Sequence, residues 1–208
     1  LPQGIVRFVS QFRASRDREG INRVISSSLK ITVPLSLILF LLVYFLSDFL
    51  AVSVFSKPEL GSLLRILSFS IPPLVVLANF DKLILAFQKV EYTVLARNFV
   101  ENLLKVLLVL LVLFWSLSIE WVAIVYVFSS VVALILLYYL LKKKVYSLKG
   151  IFSKKSRIMP SLVKFSLPLF VSDVFAYLLV WTDTLVIGYF MSAVDVGIYN
   201  VAAPTAML

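Results

Sequence analysis

The chain has 208 residues, of which 61% are hydrophobic and only 15% charged, and it carries a formal net charge of +9. Its mean hydropathy of +1.02 lies far outside the range of soluble domains. There is no Cys, hence no disulfide framework or thiolate chemistry. There is no His, which excludes Ser-His-Asp triads, HExxH zinc sites and histidine proton relays.

Residues 1–13 read as the end of a helix, with Arg7 one to two turns inside it. Residues 31–47 are uncharged, and Asp48 with residues 49–55 extends them to the far surface. About 20 residues at 1.5 Å each cross the hydrocarbon, so this is a membrane span. Ser56-Lys57-Pro58-Glu59 is a turn on proline chemistry, and residues 63–88 return with Pro72-Pro73 mid-span. Residues 89–93 form a short loop, 94–119 a third span, Glu120 a tight turn, and 121–141 a fourth span without a charge. Residues 142–160 form a basic linker, 161–190 a fifth span broken by Pro168, 191–195 a turn, and Val196 opens a sixth. The expected fold is all-α, a polytopic transmembrane bundle. Strands of a membrane β-barrel would be shorter and would alternate in hydropathy. Leu1 is not an initiator Met, and residues 196–208 stop inside an apolar stretch, so the chain is expected to be part of a longer protein.

The basic residues fall on alternate sides of these spans. Residues 142–164 hold eight Lys or Arg and no acid, and residues 13–30 hold five against Asp17 and Glu19. The intervening turns carry Lys57 with Glu59, only Glu120, and only Asp195. Positive loops stay in the cytoplasm, so residues 13–30, 89–93 and 142–160 are expected inside a cell membrane crossed several times. The positive charge therefore points to anionic lipid headgroups and not to nucleic acid.

Three constellations could carry chemistry. Arg97, Glu101 and Lys105 recur at i, i+4 and i+8, with Asn98 and Asn102 on the neighbouring stripe. Charges in hydrocarbon cost several kcal/mol unless they meet protein or water. The stripe is either a cavity lining or a self-neutralising ladder. Asp81-Lys82, below the double proline and with Asn79 on the Lys82 face, is either a functional pair or a local one with Lys82 snorkelling. Asp173 and Asp183 share their span with Tyr177, Trp181 and Thr184, a combination suited to a sugar or a cation. Asp183 could equally sit near the outer interface and Asp173 pair with a Lys. Arg7 is a cavity cation or an inner-leaflet anchor. No Gly-rich phosphate loop, CxxC or DDxxD pair is present.

Lys164-Phe-Ser-Leu-Pro-Leu-Phe170, Trp181-Thr-Asp-Thr-Leu-Val-Ile-Gly-Tyr-Phe190 and Val196-Gly-Ile-Tyr-Asn200 resemble one known family, and so do Arg7-Phe8, Asp17-Arg18, Pro58-Glu59-Leu60 and Ile71-Pro72. It is the polysaccharide (O-antigen type) flippases of the multidrug/oligosaccharidyl-lipid/polysaccharide exporter superfamily. The resemblance implies a MATE-like bundle of two six-helix lobes around a central cavity. Residues 1–141 would run from the end of the second helix to the sixth, 142–160 would join the lobes, and 161–208 would open the second lobe. It implies a transporter, not an enzyme, that flips lipid-linked oligosaccharide on a polyprenyl pyrophosphate, with other polysaccharide-assembly membrane proteins as neighbours. Arg7, Lys82, Arg97 and Lys105 would meet the pyrophosphate, with Glu101 between two of them. No bound cofactor is implied. A cation-coupled multidrug exporter would instead use Asp173 and Asp183 for Na⁺ or H⁺, and a membrane glycan transferase is the third alternative.

Overall fold

Long uncharged runs in lipid must satisfy every backbone N–H and C=O internally, which leaves the helix as their solution. The computed structural model describes residues 2–146 and 159–206, and those residues form helices and turns. In chain order they are α1 (Pro2–Ala14), α2 (Arg18–Phe49), α3 (Leu60–Ser68), α4 (Ile71–Ala86), α5 (Val90–Thr93), α6 (Asn102–Phe114), α7 (Ile119–Leu140), α8 (Met159–Phe190) and α9 (Ala193–Ala206). π-Helical turns extend α2 through Leu50–Val54, join α5 to α6 through Val94–Glu101, and extend α7 through Leu141–Val145. Arg18–Val54, Ile119–Val145 and Pro160–Phe190 are each long and apolar enough to cross a membrane. α3 and α4, bent by 44°, make a fourth crossing if taken together.

The bend falls where the prolines were expected to break the chain. Pro72 and Pro73 occupy the first turn of α4, where a missing N–H costs nothing, so the helix restarts at Ser70. A different expectation changes at residues 13–30. Only residues 15–17 are a turn there, because α2 already starts at Arg18, capped by Asp17, whose Oδ1 accepts the Gly20 N–H at 2.8 Å. Burial of Ile21, Val24 and Ile25 in the core pulls this basic stretch into helix.

The core gathers at the basic end of the bundle, where Ile5 and Val9 of α1, Val24 of α2, Leu77 and Ile84 of α4, and Leu137 of α7 are almost wholly buried. α4 lies at its centre, against α1, α2 and α7, while α6 packs on α7. Elsewhere the helices present large apolar side chains outward, among them Phe45, Phe114 and Leu179. Small polar residues line the α2–α4 seam. Asn79 accepts a hydrogen bond from the Ser28 hydroxyl (2.7 Å) and donates to Thr32 Oγ1 (2.9 Å) and the Val75 carbonyl (2.8 Å). Such residues let backbones approach and hydrogen-bond across helices where no hydrophobic force separates protein from lipid.

α8 packs on α1, α2 and α9. It meets α1 at Gly4, where a Cβ would collide with the Ser166 hydroxyl, and at Phe8, whose ring stands edge-on to Phe165 at 6.1 Å. At its other end Lys57 donates to the Gly188 (3.1 Å) and Met191 (3.0 Å) carbonyls. This turn lysine therefore caps the C-terminus of α8. α9 begins with a capping box, Ser192 and Asp195 each accepting the other's backbone N–H. Of the basic linker at 142–160, Leu141–Val145 continues α7, and residues 147–158 lie outside the described residues.

Candidate functional site

The Arg97 stripe does not stand alone. Arg97 Nη1 donates to Asp81 Oδ2 at 2.7 Å, linking the π-helical stretch before α6 to α4, and its Nε lies 4.0 Å from Glu101 Oε2. Lys105 Nζ donates to Glu101 Oε1 at 2.7 Å and stands 4.2 Å over the Tyr126 ring of α7. The carboxylates are the buried members, with side-chain exposures of 11% for Asp81 and 5% for Glu101, against 41% for Arg97 and 23% for Lys105. The acids are thus sheltered by their cations, and the cations keep a face free. Asp81 Oδ1 and Thr93 Oγ1 are buried without a hydrogen-bond partner among the described residues.

The local backbone explains the arrangement. Val94–Glu101 is π-helical, with bonds from i to i+5, a geometry that is rare and recurs at functional sites. It turns Arg97 and Glu101 towards α4 and α7 and leaves Asn98 and Asn102 exposed, bonded to each other along the helix (Asn102 Nδ2 to the Asn98 carbonyl, 3.1 Å). Regular α-helical spacing would put these two asparagines on the stripe adjoining Arg97, Glu101 and Lys105, on roughly the same side of the helix. Asp81 was expected to pair with Lys82 or act with it. It pairs with Arg97, and half-buried Lys82 ends in no ion pair among the described residues. The bonded network of two cations and two carboxylates is neutral, and Lys82 next to Asp81 adds one positive charge at its edge.

The remaining candidates lie elsewhere. Arg7 is stacked at the α1–α8 crossing, its guanidinium 4.2 Å from the centre of the Phe165 ring and 5.7 Å from that of Phe8. Asp183 accepts the Tyr199 hydroxyl at 2.9 Å, a pairing of α8 with α9, and Asp173 lies exposed on α8. The structure therefore joins Arg97, Glu101, Lys105 and Asp81, with Lys82 beside them, and leaves Arg7, Asp173 and Asp183 on the α8 side. Sequence reasoning missed the Ser28–Asn79–Thr32 seam and the Tyr126 shelf. The i, i+4, i+8 recurrence of Ser28, Thr32 and Ser36 in an apolar helix was the available signal for the seam. Among the described residues no three Asp, Glu, His or Cys side chains gather as metal ligands would.

Long apolar helices that carry a charge-paired network, its carboxylates buried and its cations part-exposed, define a helical membrane protein. A model of the polysaccharide biosynthesis protein family matches residues 1–208, and the chain belongs to that family, the polysaccharide flippase branch its motifs resemble. No curated protein and no solved structure matches it.

Proposed function

We propose that the chain is part of a plasma-membrane transporter, not an enzyme, that flips a lipid-linked oligosaccharide from the cytoplasmic to the outer leaflet. In this reading residues 1–141 belong to one MATE-like lobe, 161–208 open the second, and the basic stretch between them lies in the cytoplasm. The observation that carries it is the neutral Asp81–Arg97–Glu101–Lys105 network with the cation Lys82, unpaired among the described residues, beside it in the chain. A polyprenyl pyrophosphate crossing the bilayer loses hydration, and a fixed cation in a low-dielectric interior offsets that loss.

The pairing also moderates the site. With no substrate, Asp81 and Glu101 neutralise Arg97 and Lys105, so no bare charge is buried. An arriving pyrophosphate meets Lys82 and the open faces of Arg97 and Lys105 first, and competes with the carboxylates for the rest. Binding that has to displace internal partners is weak enough to be released on the other side. The aromatic and acidic side chains of α8, Asp173 and Tyr177 among them, suit the sugars that follow. Neighbouring polysaccharide-assembly proteins would supply and consume the cargo.

Deletion of the gene tests the reading directly. Lipid-linked oligosaccharide should accumulate on the cytoplasmic leaflet while its synthesis continues. If the mature lipid-linked sugar still reaches the outer leaflet at the normal rate, the flippase reading fails.

A further inference from the structure

At the basic end of the bundle a second cationic site lies apart from the Arg97 network. A cleft of about 600 Å³ is walled by Arg13, Arg16, Arg18, Asn22, Phe87 and Tyr146, within the usual size of a small-molecule pocket. Its walls are held from several elements. Arg13 Nη1 donates to the Ala86 carbonyl at 3.1 Å while its guanidinium lies 5.4 Å from the Phe87 ring centre, which leaves other N–H donors of the fork free to point elsewhere. Phe87 in turn packs on Tyr146, ring centres 5.3 Å apart. The Tyr146 hydroxyl lies 2.9 Å from Asn22 Oδ1 and 3.2 Å from the Arg18 carbonyl, tying the end of α7 to the start of α2. Burial pushes this hydroxyl above the ordinary phenol range, so it stays a neutral donor.

Charge in the cleft is unbalanced. Asp17, the nearest acid in sequence, spends its carboxylate on the Gly20 N–H and on Arg23 at 3.3 Å. Glu19 is engaged in a contact of its own. Among the described residues Arg13, Arg16 and Arg18 end in no ion pair with a carboxylate.

The backbone sets the place of Arg16. Arg16 has φ 57°, the left-handed region that suits glycine. It closes α1 in a Schellman turn, with Asp17 N–H on the Phe12 carbonyl (2.9 Å) and Arg16 N–H on the Arg13 carbonyl (3.1 Å). A large side chain at a glycine position is strained, and here it places a third guanidinium on the cleft.

We propose that this cleft is a receiving site for the pyrophosphate headgroup of a lipid carrier, met before the headgroup reaches the Arg97 network. The pyrophosphate is favoured over a bulk phospholipid because three forked cations match a multiply charged anion. A singly charged headgroup would leave two of them uncompensated. The identity of the lipid rests on the flippase reading; the anion chemistry of the cleft does not.

The test uses the full-length protein in nanodiscs of zwitterionic lipid, titrated with undecaprenyl pyrophosphate by calorimetry. Arg16→Gly is the decisive variant, since glycine accepts the turn and removes only the guanidinium. It should melt no lower than the parent and bind at least roughly tenfold more weakly. Arg18→Gln should weaken binding similarly, and Lys143→Gln, a basic residue outside the cleft, should not. Unchanged affinity in Arg16→Gly and Arg18→Gln overturns the proposal, as does an equal loss in Lys143→Gln, which would mean diffuse surface attraction. Nanodiscs with added phosphatidylglycerol separate the lipid sources. If that lipid displaces the pyrophosphate carrier at comparable concentration, the cleft holds bulk anionic lipid and the carrier assignment falls. Binding lost in Arg16→Gly together with normal outward flipping in the deletion strain would retain the cleft and sink the flippase reading.

Discussion

Asp81 on α4 and Arg97 on the π-helical stretch before α6 are joined at 2.7 Å, sixteen residues apart in the chain. The bond places a carboxylate that is nearly buried against a guanidinium that is 41% exposed. Removing the acid leaves the cation able to hydrate, whereas removing the cation strands the acid. Breaking a buried pair by taking one partner is costly because the other charge stays uncompensated.

Arg97→Gln should therefore destabilise the protein more than Asp81→Asn, and the double variant should fall between them. The coupling should be about 1 kcal/mol, since water screens the exposed guanidinium. Thermal melts of the four proteins in detergent measure it. Equal, additive losses would mean that the pair contributes nothing specific.

Lys105 bears on transport. With Lys105→Ala, Glu101 keeps only the 4.0 Å contact with Arg97, and its uncovered charge repels an anion. The variant should lose at least roughly tenfold in complementation of a flippase-deficient strain, while Lys30→Ala, an exposed cation on α2, should lose little. Adding Glu101→Gln should restore stability and only part of the transport, because it removes the repelling carboxylate but not the need for the lost cation, which separates a structural from a transport role. Full transport in Lys105→Ala at normal expression would make the ladder structural.

Lys57 is not an inert turn residue, given its two hydrogen bonds to the end of α8. Lys57→Ala should reduce stability by about 1 kcal/mol, and Lys57→Arg should retain most of it. Melting temperature is the readout. A silent Lys57→Ala would show that the cap does not form in the membrane.

Gly4 and Ser166 report whether α1 and α8 separate during transport. Their approach is close enough for the Gly4→Cys, Ser166→Cys pair to form a disulfide on oxidation, in a chain otherwise without Cys. Oxidation should halt transport and reductant should restore it. Undiminished transport by the cross-linked protein would place the moving joint elsewhere.

Sidedness is open to labelling in the same Cys-free background. Ser15→Cys, in the α1–α2 turn, should resist an impermeant thiol reagent applied to intact cells, and Glu59→Cys should react. The reverse pattern inverts the bundle.

The sequence by itself settled the solvent. Uncharged runs such as residues 121–141 leave the helix as the one way to satisfy their backbone in lipid, and Pro72-Pro73 marked the bend because proline lacks an N–H whatever surrounds it. The family was legible in the motifs around Pro168 and Asp183. Partners were not. Arg97, Glu101 and Lys105 were visible as a ladder, but Asp81 joins them from another helix, and the π-helical register of Val94–Glu101 rotates Asn98 and Asn102 away from the face α-spacing assigns them. Likewise Lys57 and Gly188 meet across 131 residues of chain, and Arg7 finds Phe165 on α8. Helical periodicity is a local property set by the backbone of one segment. Which charge neutralises which depends on how separate helices cross, and only the tertiary structure decides that.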